Sequence, residues 1–551
     1  MVRLAVWRKR VVMAVLEFSK TELERLLERK LTDDEYKNKI PMLGCPLEKM
    51  DAKKVWYEIS PNRPDLYSVE GFVRAIWNFL GLTKDIPEYK INTPKIKMSV
   101  GHVEARPYIV AAIVRNVKLT EEVLLSLIQL QEKLHDTLGR KRKKVAIGIH
   151  DFDKVKPPFR YIAASPDMSF VPLDKKERMS MRDILKKHPK GKDYAHLVEN
   201  YSRFPLIVDK NNNVLSFPPI INGELTRLTE KTKNLFIDVT GTSELAINQA
   251  LNIIATALFD RGCSIESVKI NSKITPDLSV QKMRLDLAYA NKLLDLNLSK
   301  NDVKSLLAKM CVGFDGTNAI IPPYRIDIMH QMDLVEELAI ARGYATFEPH
   351  LPRVVTIARR DEMNEFAYFL GKIIIGLGLQ EVVTMVLTNR DAQFKNMELK
   401  EEQLCETLNS LNAECNACRR ALLPSMLGVL ATNKHREYPQ QIFEIGNVIH
   451  PDSSEETGAR QTRHLSACIS DTSVSYEQIV SMLDSIMKNL GVGYKLIRTK
   501  HNSFMPGRVA EIPGLGIIGE IHPKVLENWS IEKPVVALEL DVTRLFEIVQ
   551  K

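Results

Sequence analysis

The sequence predicts an α+β chain that is divided into several domains. Its 551 residues exceed what one hydrophobic core normally organises. Hydrophobic residues make up 44% and charged residues 26%, which is typical of globular chains and excludes a disordered or fibrous class. Strand-like and helix-like segments are interspersed along the whole chain, without a short repeat. We therefore expect several cores, and each domain is taken in chain order below.

The N-terminal module, 11–85, alternates strands and helices. The strand-like segments VVMAVLEF and VWYEIS precede the helix-like segments KTELERLLERKL and SVEGFVRAIWNFLG, respectively. The loop 62–65, with sequence NRPD, is a turn signal, and Ser68 after it is a candidate N-cap. We expect an α/β module, followed by a polar connector that contains Pro87 and Pro94.

The second domain, 104–270, is larger and mixed. It opens with the alternating segment YIVAAIVRNV and closes after the helix-like ELAINQALNIIATALFDRG, where Gly262 is a natural C-cap. In the strand-like FIDVT, Asp238 and Thr240 point to one face and apolar residues to the other. This arrangement fits the wall of a pocket, and it fits a half-exposed edge strand equally well.

Two further domains complete the chain. The third, 275–352, reads as helix, helix, strand and helix in LDLAYANKLL, NDVKSLLAKM, AIIPPYRIDI and DLVEELAIARGY, an order compatible with a winged-helix-like module. The fourth, 354–551, alternates helices such as EFAYFLGKIIIGL with the strands QIFEIGNVI, RHLSACIS and PVVALEL. We expect a helix-flanked antiparallel α/β domain there.

Four acids of the third domain form a cluster that suggests a metal site. Asp333, Glu336 and Glu337 share one face if DLVEELAIAR is helical, and Asp327 lies just upstream. Close-set carboxylates repel unless a positive charge lies among them, and an oxygen-only set is what Mg²⁺ requires. The structural alternative is that Asp333 is the N-cap of the helix and Glu336 is its capping-box partner.

A run of five cations precedes the strand-like VAIGIH: Arg140, Lys141, Arg142, Lys143 and Lys144. Such a run supplies sequence-independent affinity for nucleic-acid phosphates, or it is a solvated loop. The net charge of +8 favours a polyanionic partner without requiring one. No phosphate-binding P-loop or dinucleotide fingerprint occurs.

Cysteine usage and the chain start bear on location. The seven cysteines show no disulfide-framework spacing, as in a reducing compartment. Cys415 and Cys418 form a CxxC pair without a second pair, so we assign no zinc. The first residues are basic and then apolar but lack a cleavage site, and no stretch is long enough to span a membrane. We expect a cytoplasmic protein, with a mitochondrial presequence as the alternative.

The segment NRPDLYSVEGFVRAI strongly resembles the signature of the phenylalanyl-tRNA synthetase β subunits of the archaeal/eukaryotic type. The likeness extends in the family's order from about Leu16 to the end, whereas the first dozen residues have no counterpart. It continues through RPYIVAAIVRNV, LQEKLHDTLGRKRKKVAIGIHDFD, SFPPIINGE, PYRIDIMHQMDLVEELAIARGY, FEIGNV and GEIHPKVLENW.

This resemblance implies a chain that pairs with a catalytic α subunit, as a tetramer of two α and two β chains. The complex would attach phenylalanine to its tRNA with ATP. The fourth domain resembles the class II synthetase catalytic fold but lacks a recognisable Gly-rich, Arg-ending segment for ATP, so we expect a catalytically silent copy. The matching positions for magnesium, shared with the α subunit, are Asp327, Asp333, Glu336 and Glu337.

The second domain resembles the family's editing domain, which removes tyrosine wrongly attached to tRNA. A phenylalanine pocket cannot strongly reject tyrosine, which merely adds a hydroxyl, so a second site is needed. The resemblance implies that Glu224 reads that hydroxyl and that an activated water attacks. It assigns His150, Asp238 and Thr240 to the hydrolytic side and includes Ser216 in the site. It also makes the 140–144 run a candidate contact for tRNA phosphates.

One alternative belongs to another functional class. A free-standing, non-enzymatic tRNA- or DNA-binding scaffold could be built around the winged-helix-like module. The joint presence of an editing-like domain, an acidic cluster and a silent synthetase fold argues against this alternative. Isolation of the chain alone would favour the scaffold, whereas isolation with an α subunit would favour the synthetase.

Overall fold

The computed structural model divides the chain into two compact units, 1–351 and 352–551. The fourth domain expected from the sequence, 354–551, lies within the second unit. The structure describes residues 14–82, 88–351, 354, 356–410 and 412–550. The first residues of the predicted strand VVMAVLEF, 11–13, and the connector residue Pro87 lie outside this part.

The N-terminal module packs helices against strands that pair in the order β1-β3-β2. Ser68 caps α2 by accepting a 3.1 Å hydrogen bond from the Gly71 N–H, and Phe18 stacks on Phe72 with ring centroids 4.6 Å apart. The predicted order of strand, helix, strand and helix is confirmed, with an additional strand, β2. The elements are β1 Ala14–Ser19, α1 Lys20–Leu26, a π-helical turn Glu35–Lys39, a 3₁₀ turn Ile40–Leu43, β2 Leu47–Met50, β3 Lys54–Ile59, a 3₁₀ turn Pro64–Leu66 and α2 Val69–Phe79.

The mixed domain is built on a large sheet in the order β12-β11-β10-β7-β4-β14-β5-β13-β6, with β15 paired to β14. The long helix α6 ends at Asp260, and Gly262 follows with φ +83°, as the sequence predicts. The elements are β4 Ile91–Val100, β5 Tyr108–Arg115, α3 Glu121–Asp136, β6 Val145–Asp151, β7 Phe159–Ala164, β8 Ser169–Phe170, β9 Met179–Ser180, α4 Met181–Lys187, α5 Pro189–Tyr194, β10 Phe204–Val208, β11 Val214–Phe217, β12 Ile221–Asn222, β13 Leu235–Gly241, α6 Glu244–Asp260, β14 Ser264–Ile270 and β15 Lys273–Thr275.

Strand β4 corrects the predicted connector, because it runs through Pro94. The pairing of β4 with β14 is regular at Asn92 and again at Ile96, but its register shifts between them. Proline has no N–H to donate, so it is tolerated where the ladder is interrupted. The prolines of this segment suggested a loop. In the structure, Pro94 lies in strand β4 at the shift in its pairing with β14.

The third domain has the predicted order of helix, helix, strand and helix, with strands pairing as β16-β18-β17. The strand-like AIIPPYRIDI is shorter than expected, because β18 ends at Ile321 and two prolines follow. The elements are β16 Gln281–Arg284, α7 Leu287–Leu294, α8 Lys300–Lys309, β17 Gly313–Phe314, β18 Asn318–Ile321 and α9 Gln331–Arg342.

The second unit contains a sheet in the order β19-β22-β23-β27-β26-β25-β24, flanked by helices. It is antiparallel, as expected, except that β19 runs parallel to β22. Among the described helices, none is long and apolar enough to cross a membrane. The elements are α10 Glu362–Gly376, β19 Gln380–Glu381, β20 Leu387–Thr388, a π-helical turn Asp391–Lys395, β21 Ala417–Cys418, α11 Leu423–Thr432, β22 Gln440–Pro451, β23 Ala459–Ser470, α12 Tyr476–Leu490, β24 Ile497–Arg498, β25 Phe504–Ile512, β26 Gly516–Ile521, α13 Pro523–Asn528, β27 Val535–Asp541 and α14 Val542–Val549.

Candidate functional site

A cavity of about 260 Å³ lies at the end of the large sheet, between α3, the terminal strand β6 and the loop 218–222. Side chains of helix α3 provide hydrogen-bond partners for the backbone of Ile147 on the outer edge of β6. The Ile147 N–H donates to His135 Nε2 at 2.8 Å, and Gln131 Nε2 donates to the Ile147 carbonyl at 2.7 Å. Side chains therefore take the place of a further strand, which leaves room for a cavity at this edge.

The floor of the cavity is set by the pairing of β6 with β13. This register places Gly148 beside Asp238 and brings His150 onto the same face. His150 Nε2 lies 2.8 Å from Asp238 Oδ2, and its Nδ1 lies 2.8 Å from Thr226 Oγ1. Because an ionised carboxylate can only accept, the Nε2–H donates to Asp238 in that state. The histidine thus fixes the orientation of a buried carboxylate at the cavity.

Gly148 allows that carboxylate to pack closely against the backbone of β6. A Cβ atom at this position would lie 2.2 Å from Asp238 Oδ2 and 2.7 Å from His150 Nε2, which is closer than atoms can approach. The absence of a side chain therefore leaves the room that the His150–Asp238 pair occupies beside β6. Sequence reasoning missed this residue, although an isolated glycine inside the strand VAIGIH is a signal of close approach.

The predicted editing residues divide into those at the cavity and those elsewhere. Ser216 and Asp238 line the cavity, and His150 contacts Asp238. Thr240 does not line it. Arg106 instead holds this threonine, donating from Nε to Thr240 Oγ1 at 3.2 Å and from Nη2 to the Thr240 carbonyl at 2.7 Å. Burial lowers the pKa of Arg106 to about 10.

Glu224 is also placed outside the 260 Å³ cavity. It opens a 3₁₀ turn, Glu224–Thr226, and lines a separate cavity of about 360 Å³. Arg227 Nε donates to Glu224 Oε1 at 2.7 Å, and the Asp174 N–H donates to Oε2 at 2.9 Å. The hydrogen bond from Arg227 lowers the pKa of Glu224. The structure therefore does not bring Glu224 together with Ser216 and Asp238.

The basic run forms a turn in which only part of the charge is exposed. Arg140, Lys141 and Lys143 are exposed, and Lys144 is half-buried. Arg142, which the resemblance made a candidate phosphate contact, is buried. Its guanidinium is already engaged by Glu132 Oε1 at 2.7 Å and by the carbonyls of Pro219 and Ile220 at 3.3 and 3.2 Å.

Glu132 is a second residue of the cavity that sequence reasoning missed. Its Oε1 accepts from Arg142, and His135 Nδ1 lies 3.3 Å away. The hydrogen bond with His135 and the charge of Arg142 hold the pKa of Glu132 at about 2, although burial opposes this shift. The spacing of Glu132 and His135, three residues apart on one helix face, could have indicated the contact.

The four acids of the third domain do not share one environment. Arg325 is fully buried and engages two of them. Its guanidinium donates to both oxygens of Asp327, at 3.0 and 2.7 Å, and Nη2 lies 2.9 Å from Glu337 Oε2. Burial raises the pKa of Glu337. Burial acts in the same direction on Asp327, but the charge and hydrogen bonds of Arg325, together with the charge of Arg63, lower the pKa of Asp327. An arginine therefore supplies the positive charge between these two carboxylates.

The other two acids lie at the start and on the surface of α9. The N-cap is His330, not Asp333 as the structural alternative supposed. Asp333 takes the capping-box partner position, with Oδ2 accepting from the N–H groups of Met329 and His330 at 2.7 and 2.8 Å. Glu336 is exposed and has no part in the capping. A capping box is therefore present, but its two residues are His330 and Asp333 instead of Asp333 and Glu336.

The fit of these acids to magnesium is partial. In the part of the chain that the structure describes, no three Asp, Glu, His or Cys side chains converge on a point that could hold a metal ion. The donor chemistry suits Mg²⁺, because all four groups offer oxygen. Two of the four are nevertheless engaged by Arg325 and a third caps the helix. These residues could hold the ion only with further ligands or after rearrangement.

Comparison with known proteins gives consistent matches along the chain. Residues 105–278 match the B3/4 domain model, residues 283–344 match the tRNA synthetase B5 domain model, and residues 348–542 match the model of the phenylalanyl tRNA synthetase beta chain CLM domain. The cavity and the acidic cluster therefore fall in the first and second of these regions.

Relatives of similar length are also found. The chain is 41% identical to the phenylalanine–tRNA ligase beta subunit of Pyrococcus abyssi and 40% identical to that of Methanocaldococcus jannaschii, over 97% and 96% of this chain and all of each relative. A crystal structure of an N-terminal fragment of the Pyrococcus horikoshii phenylalanyl-tRNA synthetase beta subunit is 40% identical, with a TM-score of 0.57. The match covers 60% of this chain and 99% of the fragment. The scaffold alternative is not favoured, and the chain belongs to the phenylalanyl-tRNA synthetase β-subunit family.

Proposed function

We propose that this chain is the β partner of a catalytic α subunit and that the complex attaches phenylalanine to its tRNA with ATP. The proposal is supported by relatives that are named phenylalanine–tRNA ligase beta subunit and match the chain over nearly its whole length. By the same resemblance we propose a tetramer of two α and two β chains that works in the cytoplasm, where translation takes place.

We further propose that the mixed domain hydrolyses tyrosine wrongly attached to this tRNA. The observation that carries the proposal is the buried Asp238, which lines a cavity of about 260 Å³ beside Gly148 and is held in place by His150. This volume is below the roughly 300–1,000 Å³ of drug-sized sites, so it suits a single aminoacyl group. The proposal agrees with the match of this region to the B3/4 domain model.

The chemistry assigned to the cavity is general-base hydrolysis by water. Asp238 would accept a proton from the water as it attacks the tyrosyl carbonyl carbon and return it to the 3′-terminal oxygen of the tRNA as the ester bond breaks, while His150 holds the carboxylate in place. The Ser216 hydroxyl, also at the cavity, would position the water or the ester. The exposed cations Arg140, Lys141 and Lys143, with the half-buried Lys144, would contact the tRNA phosphates outside, so that the 3′ end enters the cavity.

The decisive experiment uses the α/β complex with Asp238→Asn, which removes the base but keeps the shape. Hydrolysis of preformed tyrosyl-tRNA should fall strongly while phenylalanine charging continues, because the two reactions occupy different sites. Asp153→Asn, at an exposed aspartate two residues beyond the end of β6, is the matched control and should change neither rate. Unchanged tyrosyl-tRNA hydrolysis in Asp238→Asn would refute the assignment.

The proposed division of labour has its own test. The fourth domain lacks a recognisable ATP-binding arginine segment, so the isolated chain should not form phenylalanyl-adenylate. Addition of the α subunit should restore phenylalanine-dependent ATP–pyrophosphate exchange. Robust exchange by this chain alone, after contaminating α subunit has been excluded, would contradict a silent domain.

Magnesium at the interface with the α subunit remains part of the proposal, with Asp327, Asp333, Glu336 and Glu337 as the residues that would hold it. The exposed Glu336 gives the cleanest test, because its loss should leave the isolated chain intact. Glu336→Gln should weaken association with the α subunit in magnesium, and a chelator should abolish the difference from wild type. Equal association with magnesium present would exclude Glu336 as a ligand.

A further inference from the structure

A further cavity, of about 480 Å³, lies in the second unit of the chain. Strands β22, β23, β26 and β27 and the start of α11 contribute to its lining. Its volume is within the roughly 300–1,000 Å³ of small-molecule sites. All its residues belong to the second unit, whereas the proposed editing and metal sites belong to the first. The apolar part of the lining includes Met397, Leu399, Leu423, Phe504, Leu515 and Ile517.

A buried ion pair lines this cavity. His464 Nδ1 donates to Glu539 Oε1 at 2.8 Å, and Glu539 also accepts from the Leu422 and Leu423 N–H groups at the start of α11, at 3.0 and 2.8 Å. Burial opposes ionisation of both groups, but their contact raises the pKa of His464 and lowers the pKa of Glu539. Both oxygens of Glu539 are therefore engaged, and His464 contributes a positive charge to the lining.

His501 contributes a hydrogen-bond donor to the same lining. Its Nδ1 accepts from the Ser503 N–H at 3.3 Å, which places the ring proton on Nε2 in the neutral form. Burial lowers the pKa of His501, so the neutral form predominates at neutral pH. Among the described residues, none makes a hydrogen bond to His501 Nε2. This N–H is therefore available to an acceptor on a ligand.

Asp541 adds a negative charge near the imidazolium. Its Oδ1 caps α14 by accepting from the Arg544 N–H at 2.9 Å, while Oδ2 has no hydrogen-bond partner in the part of the chain that the structure describes. The charge of Asp541 contributes to the raised pKa of His464, so the two side chains lie near each other. Neighbouring positive and negative groups complement a ligand whose own opposite charges are separated by a single carbon.

Two other polar side chains of the lining are neutral or already engaged. The His450 ring lies 6.3 Å from the His464 ring, and burial lowers the pKa of His450. Arg420 Nη2 lies 2.6 Å from Glu402 Oε2, and Nη1 donates to the Gln403 carbonyl at 2.8 Å. The cation that has no external carboxylate partner is therefore His464, beside Asp541.

We propose that the 480 Å³ cavity binds a free α-amino acid with an apolar side chain. The ligand carboxylate accepts the His501 Nε2–H near the charge of His464, and the ligand ammonium donates to Asp541 Oδ2. The ligand side chain packs against the apolar part of the lining. A carboxylate without an amine would leave Asp541 close to a like charge, and an amine without a carboxylate would leave the His501 N–H desolvated without an acceptor.

The test measures binding of phenylalanine to the full chain without an α subunit, by equilibrium dialysis. Phenylalanine is the probe because it carries both charges on a small apolar body. We expect saturable binding. The analogue 3-phenylpropanoate, which lacks the ammonium group, and phenethylamine, which lacks the carboxylate, should each bind about 10-fold or more weakly, as expected for the loss of one charge-assisted hydrogen bond.

Two variants each remove one ligand contact and keep the local structure. His501→Asn retains an acceptor for the Ser503 N–H, and Asp541→Asn retains an N-cap for α14. Each should weaken phenylalanine binding about 10-fold or more. His522→Asn is the matched control, because His522 Nδ1 accepts from the Lys524 N–H at 3.2 Å in the same way but does not line the cavity. It should retain wild-type affinity.

Each other outcome overturns the proposal. Wild type that shows no saturable phenylalanine binding would refute it, and wild-type affinity in either His501→Asn or Asp541→Asn would place any bound amino acid elsewhere in the chain. Equally tight binding of 3-phenylpropanoate would exclude Asp541 as a partner. If a variant does not fold, wild type provides a second measurement: phenylalanine should protect His501 from modification by diethyl pyrocarbonate, and unprotected His501 would refute the site.

Discussion

The cavity of the mixed domain and the acidic face of α9 differ in how completely the chain assembles them. In the cavity, neighbouring strands bring His150 to 2.8 Å from Asp238. On α9 and the segment before it, the acids separate: Arg325 engages Asp327 and Glu337, while Asp333 caps the helix. Both sets were inferred from the same resemblance. Part of the first, Ser216, Asp238 and His150, meets at one cavity, whereas the four acids of the second do not converge on one point.

The difference shows where each site obtains its geometry. Strand pairing fixes the relative position of side chains to within a hydrogen bond, so a site on adjacent strands is complete in one subunit. Acids on one helix share a face but stay at the helix surface, where each finds the nearest cation or N–H group. A metal site made from them requires a further charge or partner, and the changes below test this contrast.

The largest effect is expected for Gly148→Ala. The added methyl would lie 2.2 Å from Asp238 Oδ2, so the carboxylate or the strand must move. A displacement near 1 Å costs on the order of 100-fold in rate, and tyrosyl-tRNA hydrolysis by the complex should fall at least that far. Gly376→Ala is the control, because a Cβ there meets nothing within 4 Å. Hydrolysis within a few-fold of wild type would show that the cavity is not preformed.

A smaller but still large effect is expected for Arg325→Met. Loss of one partner from a buried ion pair should destabilise the isolated chain by about 3–5 kcal/mol, because Asp327 and Glu337 stay buried without their cation. Urea unfolding measures the loss. Arg360→Met, which breaks an exposed pair with Glu365, should cost no more than about 1 kcal/mol.

The same variant also tests the contrast between the two regions. If added magnesium fully restored the stability of Arg325→Met, the acids would be able to converge on a cation within this chain. The acidic face would then be as self-contained as the cavity. We expect no such recovery, because Asp333 caps the helix and Glu336 faces solvent.

A moderate effect is expected for Asp333→Ala in the isolated chain. The substitution removes two hydrogen bonds to the N–H groups at the start of α9 and should cost about 1 kcal/mol. Thermal melting of the isolated chain provides the measurement, with Glu336→Ala as the neighbour that should change nothing. Equal losses for the two variants would show that capping does not distinguish them.

The smallest effect concerns the acid stability of the cavity wall. The pKa of Glu132 is about 2 in the folded chain, below its usual 4.5. A lowered pKa contributes stability above the unfolded value, and this contribution is lost as pH falls from about 4.5 to about 2. The urea midpoints of wild type and Glu132→Gln should therefore converge over this range. A difference that stayed constant would mean that the charge of Glu132 does not stabilise the wall.

Much of the architecture could be predicted because its signals are local. Periodicity gave the helices α6 and α9, a left-handed glycine ended α6, and alternation gave the strands of the second unit. Pro94 was misread as part of a connector, because an interruption in a strand ladder depends on the neighbouring strand. Local patterns do not contain that information.

The candidate site was predicted in part. Asp238 and Ser216 were identified and do line one cavity, whereas Glu224 and Thr240 are placed away from it. Glu132 was passed over because a glutamate on an amphipathic helix usually faces solvent. Its contact with Arg142 joins helix α3 to the turn that follows it, and that turn contacts the segment 218–222, which is distant in the sequence.

By itself, the sequence determined the α+β class, the order of the elements and the family to which the chain belongs. These depend on residue types and their spacing, which can be read along the chain. The tertiary structure decided which polar side chains meet. Arg142 and Arg325 illustrate the reason: each is a cation whose buried position selects its carboxylate partners through space. Burial and partner choice arise only when distant segments pack together, because an ionised group cannot remain buried without compensation.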